Sequence, residues 1–335
     1  MKVAFFEVQD WDRRMLAEWA GAARDAVLRE DCLNLNNVAE FRDCDVVSVF
    51  LYCAITAEIM EAMPRLRLIA TRSTGVDHVD LKAAAARKIG VCNVPEYGAN
   101  TVAEHTFGLI LGLSRKIYAA DRRVRKRDFS LQGLDGFDLR AKTLGVIGAG
   151  NIGLHVIRIA RSLSMRVLAH DLKRNDLLAE VLEFEYADLD RVLREADVIS
   201  LHAPLVEATR HLIGADAIEK MKPGALLINT ARGGLVDTAA LADALEAGRL
   251  GGAALDVFEG EESIAEESEL LYRECRECGP VEAVSRLLDR DDVIVTPHMG
   301  FYSREALERI LRTTLDNIEA FAAGRPRNLV TASTT

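Results

Sequence analysis

The stretch Thr143-Leu144-Gly145-Val146-Ile147-Gly148-Ala149-Gly150-Asn151-Ile152-Gly153 decides how this chain folds. Its first five residues are a short apolar run, which reads as a strand. Glycines 148, 150 and 153 follow at GxGxxG spacing and open an amphipathic segment, Leu154–Leu163, which reads as a helix. Glycine at these points permits a tight turn, close approach of a pyrophosphate and close packing of helix on strand. The helix amino terminus, with Asn151 and Ile152 in its first turn, offers N–H groups to phosphate oxygens. The next strand, Val167-Leu168-Ala169-His170-Asp171, ends on an acid 18 residues beyond Gly153. A carboxylate there accepts from both ribose hydroxyls of the adenosine half and repels a 2′-phosphate. The order of strand, glycine turn, helix, strand and acid predicts a dinucleotide site that favours NAD. Lys173 and Arg174 are the neighbouring cations that leave the phosphate-bearing form open.

Working outward, strand-like runs continue after this unit at ADVISL (196–201), GALLINT (224–230), GGAALDV (251–257) and DDVIVT (291–296), with helical segments such as Leu189–Glu195 and Thr238–Ala247 between them. Six strands in succession predict a complete doubly wound dinucleotide fold. A first series, KVAFFEV, DVVSVFL, LRLIAT and GVCNV, occupies residues 2–94 and alternates with helical segments in the same way. The expected fold is α/β, with two doubly wound parallel sheets. Between the series, Asn100–Lys126 reads as one long helix ending in the basic run RRVRKR, where cations suit the negative helix end. A last helix, Ser303–Ala323, is stopped by Gly324 and Pro326.

The chain has 335 residues, enough for about two domains. With 52 acidic and 42 basic side chains its net charge of −10 gives no broad face for phosphate backbones, so no nucleic acid is expected as a partner. No apolar run nears the roughly 20 residues of a membrane helix, so no membrane is expected either. The first ten residues carry an acid at position 7 and no secretory apolar run, which predicts a cytoplasmic protein. The six cysteines read as reduced thiols, and the pair Cys275 and Cys278 lacks a second pair, so no metal is expected. Ser162 and Ser164 have no base in context and no GxSxG occurs, which leaves serine hydrolysis unsupported.

Three ionisable residues follow three strands. Arg232, in NTARGGLVD, follows GALLINT; Glu261 follows GGAALDV; His298, in TPHMGF, follows DDVIVT. Ligands of open α/β sheets bind outside the carboxyl ends of strands. An arginine there can fork onto a carboxylate in a way lysine cannot. A histidine backed by an acid supplies the proton that a developing alkoxide needs during carbonyl reduction. His105 reads as packed or inter-subunit, and His78 as a support for its loop.

These residues, with the segments ATRSTGVDHVDL, NVPEYGANTVAEHTFGLIL, GVIGAGNIGLHV, ISLHAPL, INTARGGLVD, ALDVFEGEE and VTPHMGFY, resemble the D-isomer-specific 2-hydroxyacid dehydrogenases over nearly the whole chain. The D-lactate dehydrogenase branch looks nearest, from the context of Tyr97 and the pair Phe301-Tyr302. The resemblance implies that Arg232, Glu261 and His298 are the catalytic triad. It implies that backbone N–H groups of the Ser73-Thr74-Gly75-Val76 loop hold the substrate carboxylate, and that Tyr97 and Phe301 line the pocket for its side chain. Asp256, Thr230 and Ala231 become nicotinamide contacts, and His202, Ala203 and Pro204 lie along the cofactor. The resemblance also implies a discontinuous substrate-binding domain of flavodoxin type, 1–100 with 301–335, and a Rossmann NAD-binding domain, 101–300. Hinges are expected in the joining helix and near Phe301, with substrate between the domains. An acid-rich insert, Glu259–Glu269, lengthens the stretch between Glu261 and His298.

The reading is an NAD-dependent reductase of a small, pyruvate-like 2-oxo acid, homodimeric through its nucleotide domain. Arg232 holds the carboxylate and polarises the ketone, His298 gives the proton, and Glu261 favours the protonated ring. Glyoxylate, phosphohydroxypyruvate or a branched 2-oxo acid are the alternative substrates, and an NAD-sensing corepressor is the alternative from another class.

Overall fold

The computed structural model describes residues 1–21, 25–259 and 281–330. The chain divides into two compact units, Met1–Gly98 with Tyr302–Thr335, and Ala99–Phe301.

In the first unit the strands are β1 (Lys2–Phe5), β2 (Asp25–Leu28), β3 (Val46–Val49), β4 (Leu68–Thr71) and β5 (Gly90–Cys92). They form one parallel sheet in the order β2-β1-β3-β4-β5. Alternation of side chains along each strand builds two cores, one on each face. Val3, Phe5, Val46, Leu68 and Ala70 face one side, where Leu16 and Leu311, Leu315 and Ile318 of the helix Arg304–Ala322 cover them. Ala4, Val47, Val49 and Ile69 face the other, under Ile59, Met60 and Ala84. Ser303 caps the last helix, its Oγ accepting from the Ala306 N–H at 3.2 Å, and Gly324 ends it with a φ of +71°.

The second unit holds β6 (Thr143–Ile147), β7 (Arg166–His170), β8 (Glu185–Tyr186), β9 (Val198–Leu201), β10 (Leu226–Asn229), β11 (Gly252–Leu255) and β12 (Val293–Val295). All are parallel, in the order β12-β11-β10-β9-β6-β7-β8. Leu144, Val146, Val198, Leu226, Ile228 and Ala254 face the helices Ala99–Ser114 and Asn151–Ser162. Ile147, Ile199, Leu201, Leu227, Ala253 and Leu255 face the opposite core. Burial on both faces is why these strands read as continuous apolar runs.

Two strands escape the sequence pattern, β2 and β8, and both are sheet edges. Each has one neighbour and no fully buried residue, so neither carries a continuous apolar run. The long helix expected over Asn100–Lys126 is two helices, Ala99–Ser114 and Ile117–Arg125. The break falls at Lys116, in the left-handed region with φ +52°, and the N–H of Phe137 takes the Ser114 carbonyl at 2.8 Å. The physical reason is burial: the first helix runs through the core and the second buries only Ala119. The basic run lies at the exposed end of the second helix, where Arg125 pairs with Asp121 and Arg122 with Asp291.

Candidate functional site

Along the carboxyl edge of the seven-stranded sheet, six neighbouring strands deliver chemistry in spatial order. Asp171 follows β7, the glycine turn follows β6, His202 follows β9, Arg232 follows β10, Asp256 follows β11 and His298 follows β12. In sequence these residues are interleaved by helices; the sheet turns them into a row.

The glycine turn is shaped by backbone crowding. Gly148 has φ +97°, and a Cβ there would lie 2.6 Å from the His202 carbonyl carbon. At Gly153 a Cβ would lie 2.0 Å from the Gly148 carbonyl oxygen, so only glycine lets the helix Asn151–Ser162 start this close to β6. A Cβ on Gly150 would meet nothing within 4 Å. No atom of the described residues fills that space, so the bare backbone there fits the approach of a phosphate at a helix amino terminus whose first residues are Asn151 and Ile152. Asp171 is fixed beside it: Oδ2 accepts the Ala149 N–H and Oδ1 the Lys173 N–H, both at 2.7 Å. His202 Nε2 lies 2.8 Å from Ser200 Oγ, while its buried Nδ1 has no hydrogen-bond partner among the described residues. Burial pushes this imidazole down to about 3, so it is neutral. Ala203 abuts the Gly148 turn through its backbone, and the Pro204 carbonyl accepts from Thr209 Oγ1 at 2.7 Å. A narrow turn, an open Gly150, a fixed acid and a neutral shielded imidazole fit a dinucleotide.

After β10, Asn229 organises the turn that carries Arg232. Its Oδ1 accepts the Ala231 N–H at 3.1 Å and its Nδ2 donates to the Arg232 carbonyl at 2.9 Å. Thr230 Oγ1 is buried 3.0 Å from Thr106 Oγ1. Arg232 itself is half-buried, with one guanidinium N–H on the Ala231 carbonyl at 2.7 Å. The backbone of Gly233 lies so close to Phe258 that a Cβ would approach the Phe258 carbonyl carbon to 2.2 Å, which locks the β10 and β11 loops together.

Asp256 does more than its sequence context suggested. Its Oδ1 accepts the Thr296 hydroxyl at 2.6 Å and the Met299 N–H at 2.9 Å, and its Oδ2 accepts the Gly300 N–H at 2.8 Å. Its main-chain carbonyl accepts the His298 N–H at 2.9 Å, and His105 Nε2 lies 3.2 Å from Oδ1. Burial raises this carboxyl, but the hydrogen bonds from His105 and Thr296, the His105 charge and the Gly300 N–H outweigh it, and the pKa falls below the ordinary value. The carboxylate thus grips the TPHMG loop from beneath, with His298 at its turn. His298 has φ +49°, a left-handed conformation unusual for a residue with a side chain, and its ring meets the buried Phe301 ring edge-on at 6.3 Å. Sequence reasoning read His105 as packed or inter-subunit and missed this grip. The signal was present: an acid ending an apolar strand needs buried partners, and the hydroxyl of Thr296 stands two residues before His298. Glu261, with the insert beyond Glu259 and the pair Cys275 and Cys278, lies outside the described residues.

In the first unit, Thr74 and Gly75 lie in the loop after β4. Thr74 Oγ1 donates to the Val94 carbonyl at 2.7 Å, Asn93 Nδ2 donates to the Thr74 carbonyl at 2.7 Å, and Ser73 Oγ donates to the Gly75 carbonyl at 2.6 Å. Tyr97 follows β5 and its carbonyl accepts from Arg309 of the last helix. Side chains thus clamp this loop on both flanks, the condition for an anion cradle made of backbone N–H groups.

Known proteins resemble this chain over most of its length. Residues 107–300 match the family described as D-isomer specific 2-hydroxyacid dehydrogenase, NAD binding domain. The chain is 39% identical over 328 residues to 2-hydroxyacid dehydrogenase homolog 1 of Schizosaccharomyces pombe, covering 96% of this chain and 97% of that protein. It is 42% identical over 257 residues, 76% of each chain, to an aromatic 2-oxoacid reductase of Clostridium sporogenes. Among solved structures, D-lactate dehydrogenase of Aquifex aeolicus complexed with NAD and lactic acid superposes with a TM-score of 0.91 at 36% identity, covering 99% of both chains.

Proposed function

The chain belongs to the D-isomer-specific 2-hydroxyacid dehydrogenases, and we propose that within this family of NAD-dependent oxidoreductases it reduces a small, pyruvate-like 2-oxo acid to the D-2-hydroxy acid. The observation that carries this reading is the row of Asp171, the glycine turn, His202, Arg232, Asp256 and His298 along one sheet edge. Gly148, Gly150, Asn151, Ile152 and Gly153 would hold the pyrophosphate, Asp171 the adenosine ribose, and Thr230, Ala231, His202, Ala203 and Pro204 the remainder. When bound, the reduced nicotinamide supplies the hydride. Arg232 forks onto the substrate carboxylate and polarises the ketone, which lowers the barrier because the bond strengthens as charge develops on oxygen. Protonated His298 gives its proton to that oxygen, and Glu261 orients the ring and favours its charged form. Asp256 keeps His298 in place through the loop it grips. In the first unit, the N–H groups of the loop at Thr74 and Gly75 would take a substrate carboxylate, with Tyr97 as a specificity residue; in the second unit, Phe301 would be another.

A substrate with a larger side chain is the second reading, favoured by the 42% identity to the aromatic 2-oxoacid reductase. Mixing the protein with NADH and pyruvate, glyoxylate, phosphohydroxypyruvate, a branched 2-oxo acid or phenylpyruvate, and following the nicotinamide absorbance, separates the two. Highest kcat/KM on pyruvate supports the first, on phenylpyruvate the second, and consumption with none removes both.

The assembly we propose is a homodimer through the NAD-binding unit, supported by the exposed apolar side chains of Phe129 (75% exposed) and Leu131 (83%), with Ile117, Tyr118 and Val124 also exposed in the same stretch of chain. Sedimentation tests it: Phe129→Glu with Leu131→Glu should convert a dimer to a monomer. No helix among the described residues is long and apolar enough to cross a membrane. A cytoplasmic setting suits the buried free thiols of Cys44, Cys53 and Cys92.

A further inference from the structure

Three neighbouring strands of the five-stranded sheet, β2, β1 and β3, are followed by Cys32, Glu7 and Cys53 respectively. One ligand atom from each, two sulfurs and a carboxylate oxygen, lie within 4.8 Å of one another. Glu7 and Cys53 are buried and Cys32 is partly exposed.

The surroundings of these atoms are already ordered. Glu7 Oε2 accepts the Phe50 N–H at 2.6 Å, and Oε1 accepts the N–H groups of Leu51 and Tyr52 at 3.1 and 2.7 Å. A carboxylate offers about four acceptor sites, and the Cys53 thiol shares a hydrogen bond with this carboxylate as well. Cys53 Sγ accepts the Leu33 N–H at 3.3 Å. Glu7 holds φ +53°, a left-handed backbone that costs free energy and persists where its surroundings enforce it. Hydrogen bonds of this kind, to a carboxylate and to a sulfur, are what orients metal ligands from behind.

A buried guanidinium, that of Arg72, acts through its charge on Glu7 and Cys53. Its N–H groups donate to the carbonyls of Phe6 and Glu7, at 2.6 and 3.0 Å, and to Ser48, and its Nε faces Asp12.

We propose that Glu7, Cys32 and Cys53 form a binding site for one thiophilic divalent cation of the zinc class, at the carboxyl edge of the substrate-unit sheet. Two sulfurs and one oxygen suit zinc, with bonds of about 2.3 Å to sulfur and about 2.0–2.2 Å to oxygen, and leave a fourth tetrahedral position for water. Calcium and magnesium, which take oxygen ligands, are rejected. On binding, two thiol protons pass to solvent as two metal–sulfur bonds form, with no change in oxidation state. The ion would tie three strand ends to the loop Phe50–Cys53 and stabilise this unit.

The experiment titrates Zn²⁺ into fully reduced protein against a chromogenic chelator. It uses a Cys275→Ser, Cys278→Ser background so that this other dithiol cannot contribute. One equivalent is expected, with a zinc-dependent rise in unfolding temperature. Cd²⁺ in its place should give the near-ultraviolet band of cadmium–thiolate bonds. Cys32→Ser, at the partly exposed position, should weaken binding at least tenfold and reduce that band. Cys92→Ser, a buried thiol elsewhere in the unit, should change neither. Cys32→Ser keeps the test decisive even if Cys53→Ser does not fold. The proposal is overturned if reduced protein takes up no equivalent, or if Cys32→Ser binds as tightly as its parent. It is also overturned if Cys32 and Cys53 close into a disulfide in preference to binding zinc when both air and Zn²⁺ are supplied.

Discussion

Asp256, at the edge of the seven-stranded sheet, and Asp12, in the helix Asp10–Ala20 of the other unit, are 1% and 0% exposed, yet their carboxyls shift in opposite directions. Burial raises both. For Asp256 it is outweighed by hydrogen bonds from His105 and Thr296, the His105 charge and the Gly300 N–H, and the pKa is lowered. For Asp12 burial wins over the charge of Arg72 and the Gln9 N–H, and the pKa is raised. The geometry explains the difference. Arg72 Nε faces Asp12 Oδ2 at 3.5 Å with a hydrogen bond to neither atom, whereas Asp256 collects short bonds from the loop that carries His298. Asp12 takes one backbone N–H, from Gln9 at 2.8 Å, and no hydrogen bond from the Arg72 Nε that faces it, whereas a carboxylate wrapped in donors fixes whatever provides them. The buried charge of the second unit is therefore coupled to the site, and that of the first is a matter of packing.

The largest effects should come from the row that Asp256 supports. His298→Gln removes the proton donor and should lower kcat/KM by on the order of a thousandfold, while NADH binding followed by fluorescence stays close to wild type. Arg232→Lys keeps the charge and loses the fork. A loss of about 3 kcal/mol, a hundredfold or more in kcat/KM, is expected, and near wild-type turnover would remove Arg232 from the mechanism.

The comparison itself is broken or sharpened by the pair Asp256→Asn and Asp12→Asn. Asp256→Asn loosens the His298 loop and should cost roughly ten- to a hundredfold in kcat, since small misplacements of a catalytic group are that expensive. Asp12→Asn should leave kcat unchanged. Their stabilities should also respond to pH with opposite sign. A lowered carboxyl pKa contributes stability above the ordinary carboxyl value that is lost as pH falls through the lowered one, so the Asp256→Asn deficit narrows in acid. A raised pKa contributes stability below the ordinary value that is lost as pH rises through the raised one, so the Asp12→Asn deficit narrows as pH increases. Denaturant unfolding at several pH values reads both, and parallel trends would end the distinction.

Smaller still is the effect of Asp171→Ala, which removes an acceptor for the ribose hydroxyls and the repulsion of a 2′-phosphate. The ratio of kcat/KM for NADPH to that for NADH should rise about tenfold, roughly 1.4 kcal/mol. A ratio that does not move would hand cofactor choice to Lys173 and Arg174.

Much of this architecture could be read from residues 143–171, because buried parallel strands leave apolar runs and the glycine turn leaves its own spacing. The edge strands β2 and β8 left no such trace, since neither buries a residue fully, unlike the edge strands β5 and β12. The break at Lys116 was hidden because both helices carry apolar residues at helical spacing, and only burial separates them. Arg232 and His298 were legible as ionisable residues directly after strands. The grip of Asp256 on the Met299 and Gly300 N–H groups was not, because it is made by main-chain atoms some 43 and 44 residues away. The cluster of Glu7, Cys32 and Cys53 was hidden for the same reason: strand order, not sequence spacing, brings it together.

The central claim is that His298 and Arg232, held at one sheet edge, reduce a 2-oxo acid with NADH to a single enantiomer. Its most direct test is to run pyruvate and NADH to completion and resolve the lactate on a chiral column. The account predicts D-lactate in an amount equal to the NADH consumed, and its loss with His298→Gln. L-lactate, a racemate, or unchanged D-lactate formation by the His298→Gln protein would contradict it.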